Sequence, residues 1–274
     1  MNATPDSRGP ASAGSGPRPG QDARAGGRTV AITGASGALG QALIRRWHGR
    51  GARVIALTHR REGADAPPLR PLDSQGEEIP LRQVNWECGQ EDQLAPLLEE
   101  VDVLVLNHGV NQPSRRDPEA VALALEVNAL SHWRLLNLFA RAVEGRDTPS
   151  EVWLNTSEAE IQPALSPLYE ISKRLIGQLL SLRALDLASG PRRPGAGGGL
   201  RIRRLVLGPF RSDLNPYGVL SADWVAGEIF RQVGWNCGLI LVSVNPLTYV
   251  LMPLASLGRW AYFRCCTRAT PKVP

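Results

Sequence analysis

The stretch that most restricts the fold of this chain is residues 29–47. Val30, Ala31 and Ile32 form a short apolar run, the turn Thr33-Gly34-Ala35-Ser36-Gly37-Ala38-Leu39-Gly40 is built almost wholly of small residues, and Gln41 to Trp47 continue in a helical pattern. A buried strand that enters a helix through such a turn lets a ligand approach the backbone closely, where the helix amides and dipole favour an anion. Strand, glycine turn and helix in that order suit a pyrophosphate. Thr33, Gly34, Ser36, Gly37, Ala38, Leu39 and Gly40 are therefore candidates for binding a dinucleotide, although such a turn alone would also serve as an ordinary strand–helix connection.

The rest of the chain repeats the alternation. A second strand, Arg53 to Leu57, ends at Thr58-His59-Arg60-Arg61. In dinucleotide-binding folds an acid at this point holds the ribose hydroxyls, whereas arginine accepts a 2′-phosphate. Thr58, His59 and Arg60 thus favour NADP(H) over NAD(H). Further strands are expected at Leu81–Trp86, Val101–Leu106, Glu151–Ser157 and Ile202–Leu207, with helices at Gln93–Glu100, Pro118–Val143, after Leu168 and at Ala222–Val233. Strands alternating with helices predict a single α/β domain over 28–245, a doubly wound, mainly parallel sheet of Rossmann type with helices on both faces. The polar strand ends Asn107-His108-Gly109 and Gly208-Pro209-Phe210-Arg211-Ser212 lie where parallel sheets border ligands.

Tyr169 and Lys173 are four residues apart, which on a helix puts a phenol and an ammonium on one face. The lysine is conspicuous, because of thirty-one Lys and Arg residues only Lys173 and Lys272 are lysine. An ammonium is a compact three-donor cation that arginine's planar fork does not replace. Asn128 interrupts an otherwise apolar helix among Val127, Leu130 and Trp133; it either serves a local backbone irregularity or faces solvent. The stripe Leu168, Ile171, Leu175, Leu179 and Leu182 predicts a helix packed on the core or on a second subunit.

The 274 residues carry a net charge of +5, but the arginines are scattered rather than clustered, which argues against a nucleic-acid stripe. Cys88, Cys237, Cys265 and Cys266 show no metal-ligand spacing and no secretory signal precedes them. Reduced thiols in a cytoplasmic protein without a metal are expected. Residues 1–27 lack large apolar side chains beyond Met1 and predict a disordered basic tail. Residues 246–274 form an apolar extension. No charge occurs from Gln232 to Gly258, and Trp260, Tyr262 and Phe263 then mingle with arginines. Three fates are open for it: a helix on a membrane surface, with peripheral contact through 246–268; burial in the core or an interface; or a span, which Asn245-Pro246 and Pro253 interrupt.

Over 28–245 these residues resemble the short-chain dehydrogenase/reductase family. Thr33, Gly34, Ala38 and Gly40 match its glycine turn. Asn107-His108-Gly109 resembles its Asn-x-(Ala/His)-Gly segment with one residue fewer, Asn128 its helix asparagine, and Tyr169 and Lys173 its Tyr-x-x-x-Lys pair. Gly208, Pro209 and Ser212 resemble its nicotinamide-side stretch, with Leu207 where the family commonly has proline. More narrowly, Asn155-Thr156-Ser157-Glu158-Ala159-Glu160 and Asn245-Pro246-Leu247-Thr248-Tyr249-Val250 resemble the dehydrogenase portion of bifunctional sterol desaturase/short-chain dehydrogenases. No desaturase activity is expected, because the only histidines are His48, His59, His108 and His132. The resemblance implies an NADP(H)-dependent carbonyl–alcohol oxidoreductase; the apolar tail points to a small, apolar or lipid-like substrate, and a homo-oligomer is expected. Tyr169 would be the proton donor and acceptor. Lys173 would tune the phenol and bind the nicotinamide ribose, Ser157 or Thr156 would orient the carbonyl oxygen, and Asn128 would order a water toward Lys173. The alternative is a non-catalytic dinucleotide-binding or membrane-associated regulatory protein on the same fold.

Overall fold

The computed structural model describes residues 27–59, 68–189 and 199–267. Arg60 and the 1–26 part of the expected tail lie outside the described residues. Seven strands are present: β1 Thr29–Thr33, β2 Arg53–His59, β3 Arg82–Trp86, β4 Val103–Leu106, β5 Ser150–Ser157, β6 Leu200–Leu207 and β7 Leu239–Val242. They form one sheet in the order β3-β2-β1-β4-β5-β6-β7, with every pairing parallel.

A parallel sheet covered on both faces buries both sets of alternating side chains, and β1 and β4 are buried at every position. Val30 and Ile32 turn to one face and Ala31 to the other. The first face packs on α1 (Ala38–His48) and α6 (Ala222–Gly234), around Trp47, Trp153 and Phe230, whose rings meet at 5.1–5.3 Å. The second packs on α4 (Ser131–Ala142) and α5 (Pro167–Ser189), around Leu135, Leu136, Phe139 and Ile176.

Three local departures from the sequence expectations bear on function. The short helix expected at Gln93–Glu100 is a 3₁₀ turn, Glu91–Leu94, leading into α2 (Ala95–Leu98). The helix expected over 118–143 is α3 (Pro118–Leu125), a π-helical segment at Glu126–Leu130, and α4, so Asn128 marks a backbone irregularity and is fully buried. The apolar stripe of α5 also turns by one position. Ile176 and Leu180 are buried together with Ser172 and Lys173, while Ile171 is 53% exposed, because the polar face of this helix is the one aimed at the sheet edge.

The last element, α7 (Pro246–Cys266), packs on α5 and on Val206 and Leu241. Asn245 caps it by accepting from Leu247 N, with Pro246 in the first turn where no backbone donor is needed. Pro253 does not end this helix; it sits on the exposed side of a continuous element. No helix among the described residues is long and apolar enough to cross a membrane.

Candidate active site at the carboxyl edge of the sheet

Strand order reverses between β1 and β4, and their carboxyl ends therefore open a crevice. The glycine turn lines it. Gly34 has φ 61°, and a Cβ there would lie 2.9 Å from His108 Cα. A Cβ on Gly40 would lie 2.3 Å from Gly34 O, so the helix and the turn touch through bare backbone. Gly37 starts α1 with no side-chain cap, leaving the first-turn amides beside Ser36, Ala38 and Leu39 for an anionic group.

Thr33 fastens this turn to β4. Its hydroxyl donates to Val105 O at 3.2 Å and accepts from Asn107 N at 2.9 Å and His108 N at 3.3 Å. The His108 ring shares a hydrogen bond between Nδ1 and Thr33 Oγ1 at 2.8 Å. His108 sits in the loop after β4 but is not an ordinary loop histidine. It is buried, stacked on His132 at 3.9 Å and edge-on to Trp86 at 5.1 Å. His132 donates from Nδ1 to Val127 O at 3.1 Å inside the π segment. Burial, together with the Lys173 charge, lowers His108 to about 3, and burial holds His132 well below its usual value.

A ladder of side-chain amides then leads from the glycine turn to the lysine. Asn107 Nδ2 donates to Gly34 O at 3.3 Å, Asn155 Nδ2 donates to Asn107 Oδ1 at 2.9 Å, and Lys173 Nζ donates to Asn155 O at 3.2 Å. Asn155 was not among the candidates picked from the sequence. Its signals in the sequence are its place near the end of β5 and its position at the head of the 155–160 stretch. Asn128 does not reach toward solvent. Its Nδ2 donates to Val110 O at 2.8 Å and to Ser172 Oγ at 3.0 Å, and its Oδ1 accepts from Val110 N at 2.8 Å. It thus clamps the backbone just after Gly109, where an added Cβ would lie 3.2 Å from Asn128 Oδ1, to the turn of α5 that carries the Tyr/Lys pair.

Lys173 is 3% exposed, with Nζ 5.6 Å from the Tyr169 ring centre. Burial lowers it to about 8. Desolvation raises Tyr169 above its usual value, a hydrogen bond from Ser157 opposes this, and the Glu158 carboxylate reinforces it. Of the two candidate hydroxyls, Thr156 donates to Leu205 O at 3.2 Å and is buried between strands, whereas Ser157 stands against Tyr169.

The strand-end residues divide. Thr58 Oγ1 is taken up by Asn85 Oδ1 at 2.7 Å and Gln83 Nε2 at 3.2 Å, and His59 is exposed. Gly208 allows β6 to pass β7, since a Cβ would lie 2.7 Å from Ser243 Oγ. Pro209 O accepts from Val219 N, and Ser212 pairs with Asn215 through the backbone. A cavity of about 370 Å³ lies elsewhere, lined by Trp224, Trp235 and Tyr249 among others, and includes none of these site residues.

The profile of the NAD dependent epimerase/dehydratase family matches residues 30–167, half of the chain, from β1 through the glycine turn to the start of α5. The chain belongs to that family. A curated relative from Synechocystis sp., the monoglucosyldiacylglycerol epimerase, is 43% identical over 244 residues. That alignment takes in 88% of this chain and 55% of the relative, so the chain spans about half the length of the protein it matches. Its name is that of a glycolipid epimerase rather than of a sterol desaturase/short-chain dehydrogenase.

Solved short-chain dehydrogenases share the fold. That of Burkholderia cenocepacia with NADP has a TM-score of 0.64 at 18% identity, covering 89% of this chain and 99% of the other. That of Burkholderia phymatum with NAD has 0.64 at 18%, covering 91% and 98%, and that of Sphingobium yanoikuyae with NADPH has 0.65 at 15%, covering 90% and 99%. The crowded turn of Gly34 and Gly40 and the uncapped start of α1 suit the NAD(P) dinucleotide of the epimerase/dehydratase family.

Proposed function

We propose that the chain inverts a carbinol in the sugar of a glycolipid, by oxidising it to a carbonyl and reducing it again in the same site. The observation that carries this reading is the Tyr169, Ser157 and Lys173 cluster at the end of the amide ladder from the Gly34 turn. The name of the curated relative supports the substrate class. A bound nicotinamide dinucleotide supplies hydride acceptance and donation. Thr33, Gly34, Gly37 and Gly40 would shape its pyrophosphate seat, and Asn107, Asn155 and Lys173 would border its sugar side.

The chain's own part is handling the proton. Tyr169 Oη takes the carbinol proton as the carbonyl forms and returns it as the alcohol re-forms; positioned proton transfer of this kind is worth about 10²–10⁴-fold. Ser157 orients the substrate oxygen. A charged Lys173 next to the ring favours the phenolate against the burial and the Glu158 charge that oppose it. Asn128 holds the two halves of this arrangement, the Gly109-Val110 backbone and α5, in register. NADP(H) rather than NAD(H) is the proposed cofactor, supported by Arg60 and by the lack of an acid at Thr58 and His59.

Incubation with monoglucosyldiacylglycerol and catalytic dinucleotide, followed by chromatographic separation of the sugar epimers, tests the reading. An epimer should appear without net change in the dinucleotide, and Tyr169→Phe should abolish it while dinucleotide binding persists. Net consumption of NADPH with carbonyls and no inversion would instead identify a plain carbonyl reductase. Dinucleotide binding without turnover of either kind would mark the regulatory alternative.

A further inference from the structure

Helix α7 is built inside out. The side it turns to the protein carries Thr248, Met252, Ser256 and Arg259, while Leu247, Val250, Leu254 and Leu257 on the opposite side are 57–61% exposed. A helix that is apolar all round is normally enclosed on all sides. Here the inward stripe is held by polar contacts. Arg259 Nη1 meets Glu160 Oε2 at 3.2 Å, alongside Arg204, and Thr248 Oγ1 donates to Glu158 Oε2 at 3.0 Å. The outward apolar face is left over after those contacts are made, and an unbroken surface of this kind marks an interaction site.

We propose that this face docks on an anionic lipid bilayer and holds the candidate active site against it. The reading of the lipid as substrate rests on the function proposed above; the docking itself does not. Three observations choose a bilayer over a second copy of the chain. No Asp or Glu follows Glu228, while Arg259 and Arg264 lie on α7. Arg259 is already paired with Glu160 inside the fold, so the exposed Arg264 is the cation left to pair: a second copy of α7 would meet it with no acid on the helix, whereas anionic headgroups supply one. Aromatic side chains gather at one end, with Arg264 5.3 Å from the Trp260 ring centre and Tyr262 beside Phe263, an arrangement suited to the headgroup layer.

The third observation is continuity with the mouth of the site. Glu158, next to Ser157, accepts from Ser243 Oγ at 2.5 Å and from Thr248, and Gln162 donates to Thr248 Oγ1 at 2.8 Å. The start of α7 is thereby tied to the segment that leaves the active-site strand. The two stretches that carried the narrower family resemblance, 155–160 and 245–250, thus touch. Leu165 is fully exposed, and Tyr217 and Val219, on the loop after β6, are 91% and 72% exposed. Their loops follow the carboxyl ends of the adjacent strands β5 and β6, the edge that carries Ser157.

Flotation of the full chain on sucrose gradients, with vesicles of phosphatidylcholine alone or mixed with phosphatidylglycerol and no substrate, tests the docking. The chain should float with the mixed vesicles. Leu254→Glu combined with Leu257→Glu should weaken binding at least about 100-fold, from the burial lost at two leucines. Thermal unfolding and dinucleotide binding should be unchanged, since both side chains point away from the fold. Failure of the wild-type chain to float with mixed vesicles overturns the proposal, as does a double variant that floats like wild type. A non-floating wild type that sediments as a dimer, and a variant that sediments as a monomer, would assign the face to a second copy and overturn it as well. Flotation reads no turnover, so an absent epimerase activity leaves this result standing. If docking fails while a soluble short-chain glucoside is still epimerised, only the docking is lost.

Discussion

Lys173→Met should make the protein more stable and inactive at once. The lysine is buried, and its pKa is lowered from 10.5 to about 8, which means that the folded state holds the ammonium at a disadvantage relative to the unfolded chain. At pH 7 the amine is charged in both states, and the shift corresponds to a handicap of about 3 kcal/mol, at 1.36 kcal/mol per pKa unit. Methionine fills a similar volume without that charge and forgoes the bond to Asn155 O and the cation's contact with the Tyr169 ring. Between pH 8 and 10.5 the unfolded chain binds more protons than the folded one, so the wild-type handicap fades as pH rises through that window. Urea unfolding without dinucleotide should therefore show the variant ahead by about 2–3 kcal/mol at pH 7 and by less than about 1 kcal/mol at pH 10. Turnover should be lost at both. A variant less stable than wild type at pH 7, or a gain equal at the two pH values, would refute the reasoning.

Gly40→Ala should abolish dinucleotide binding by calorimetry, because its Cβ would meet Gly34 O at 2.3 Å, while Gly37→Ala, with 3.4 Å to the same oxygen, should retain it. Glu160→Gln leaves Arg204 and Arg259 buried without their shared carboxylate and should cost about 3–5 kcal/mol in urea unfolding. Arg60→Ala should weaken NADP binding at least about tenfold with little effect on NAD, the loss of one charge-assisted phosphate contact; equal losses would remove the basis for preferring NADP. Because His108 and His132 are buried neutral, the stability they contribute is complete above pH 6.5 and falls as pH drops below it, for His108 down to about 3. His132→Phe should flatten that acid slope in thermal unfolding.

The sequence by itself determined the sheet, the glycine turn and the Tyr169/Lys173 pair, because these depend on local periodicity, on residues without a Cβ and on a four-residue spacing. For Asn128 it left a backbone irregularity and a solvent-facing amide both open, and the buried π-helical segment decides for the first. Which hydroxyl meets the tyrosine was decided only by the tertiary structure. Thr156 and Ser157 alternate across a strand, and the sheet determines which of the two sides faces α5. The same holds for Asn155, whose role comes from pairing with Asn107 and Lys173 on two other elements. The face of α7 that stays outside was likewise illegible, because its apolar side is the outer one and its more polar side, with Thr248, Ser256 and Arg259, the inner one. Only the distant carboxylates of Glu158 and Glu160, by claiming Thr248 and Arg259, settle which stripe turns inward.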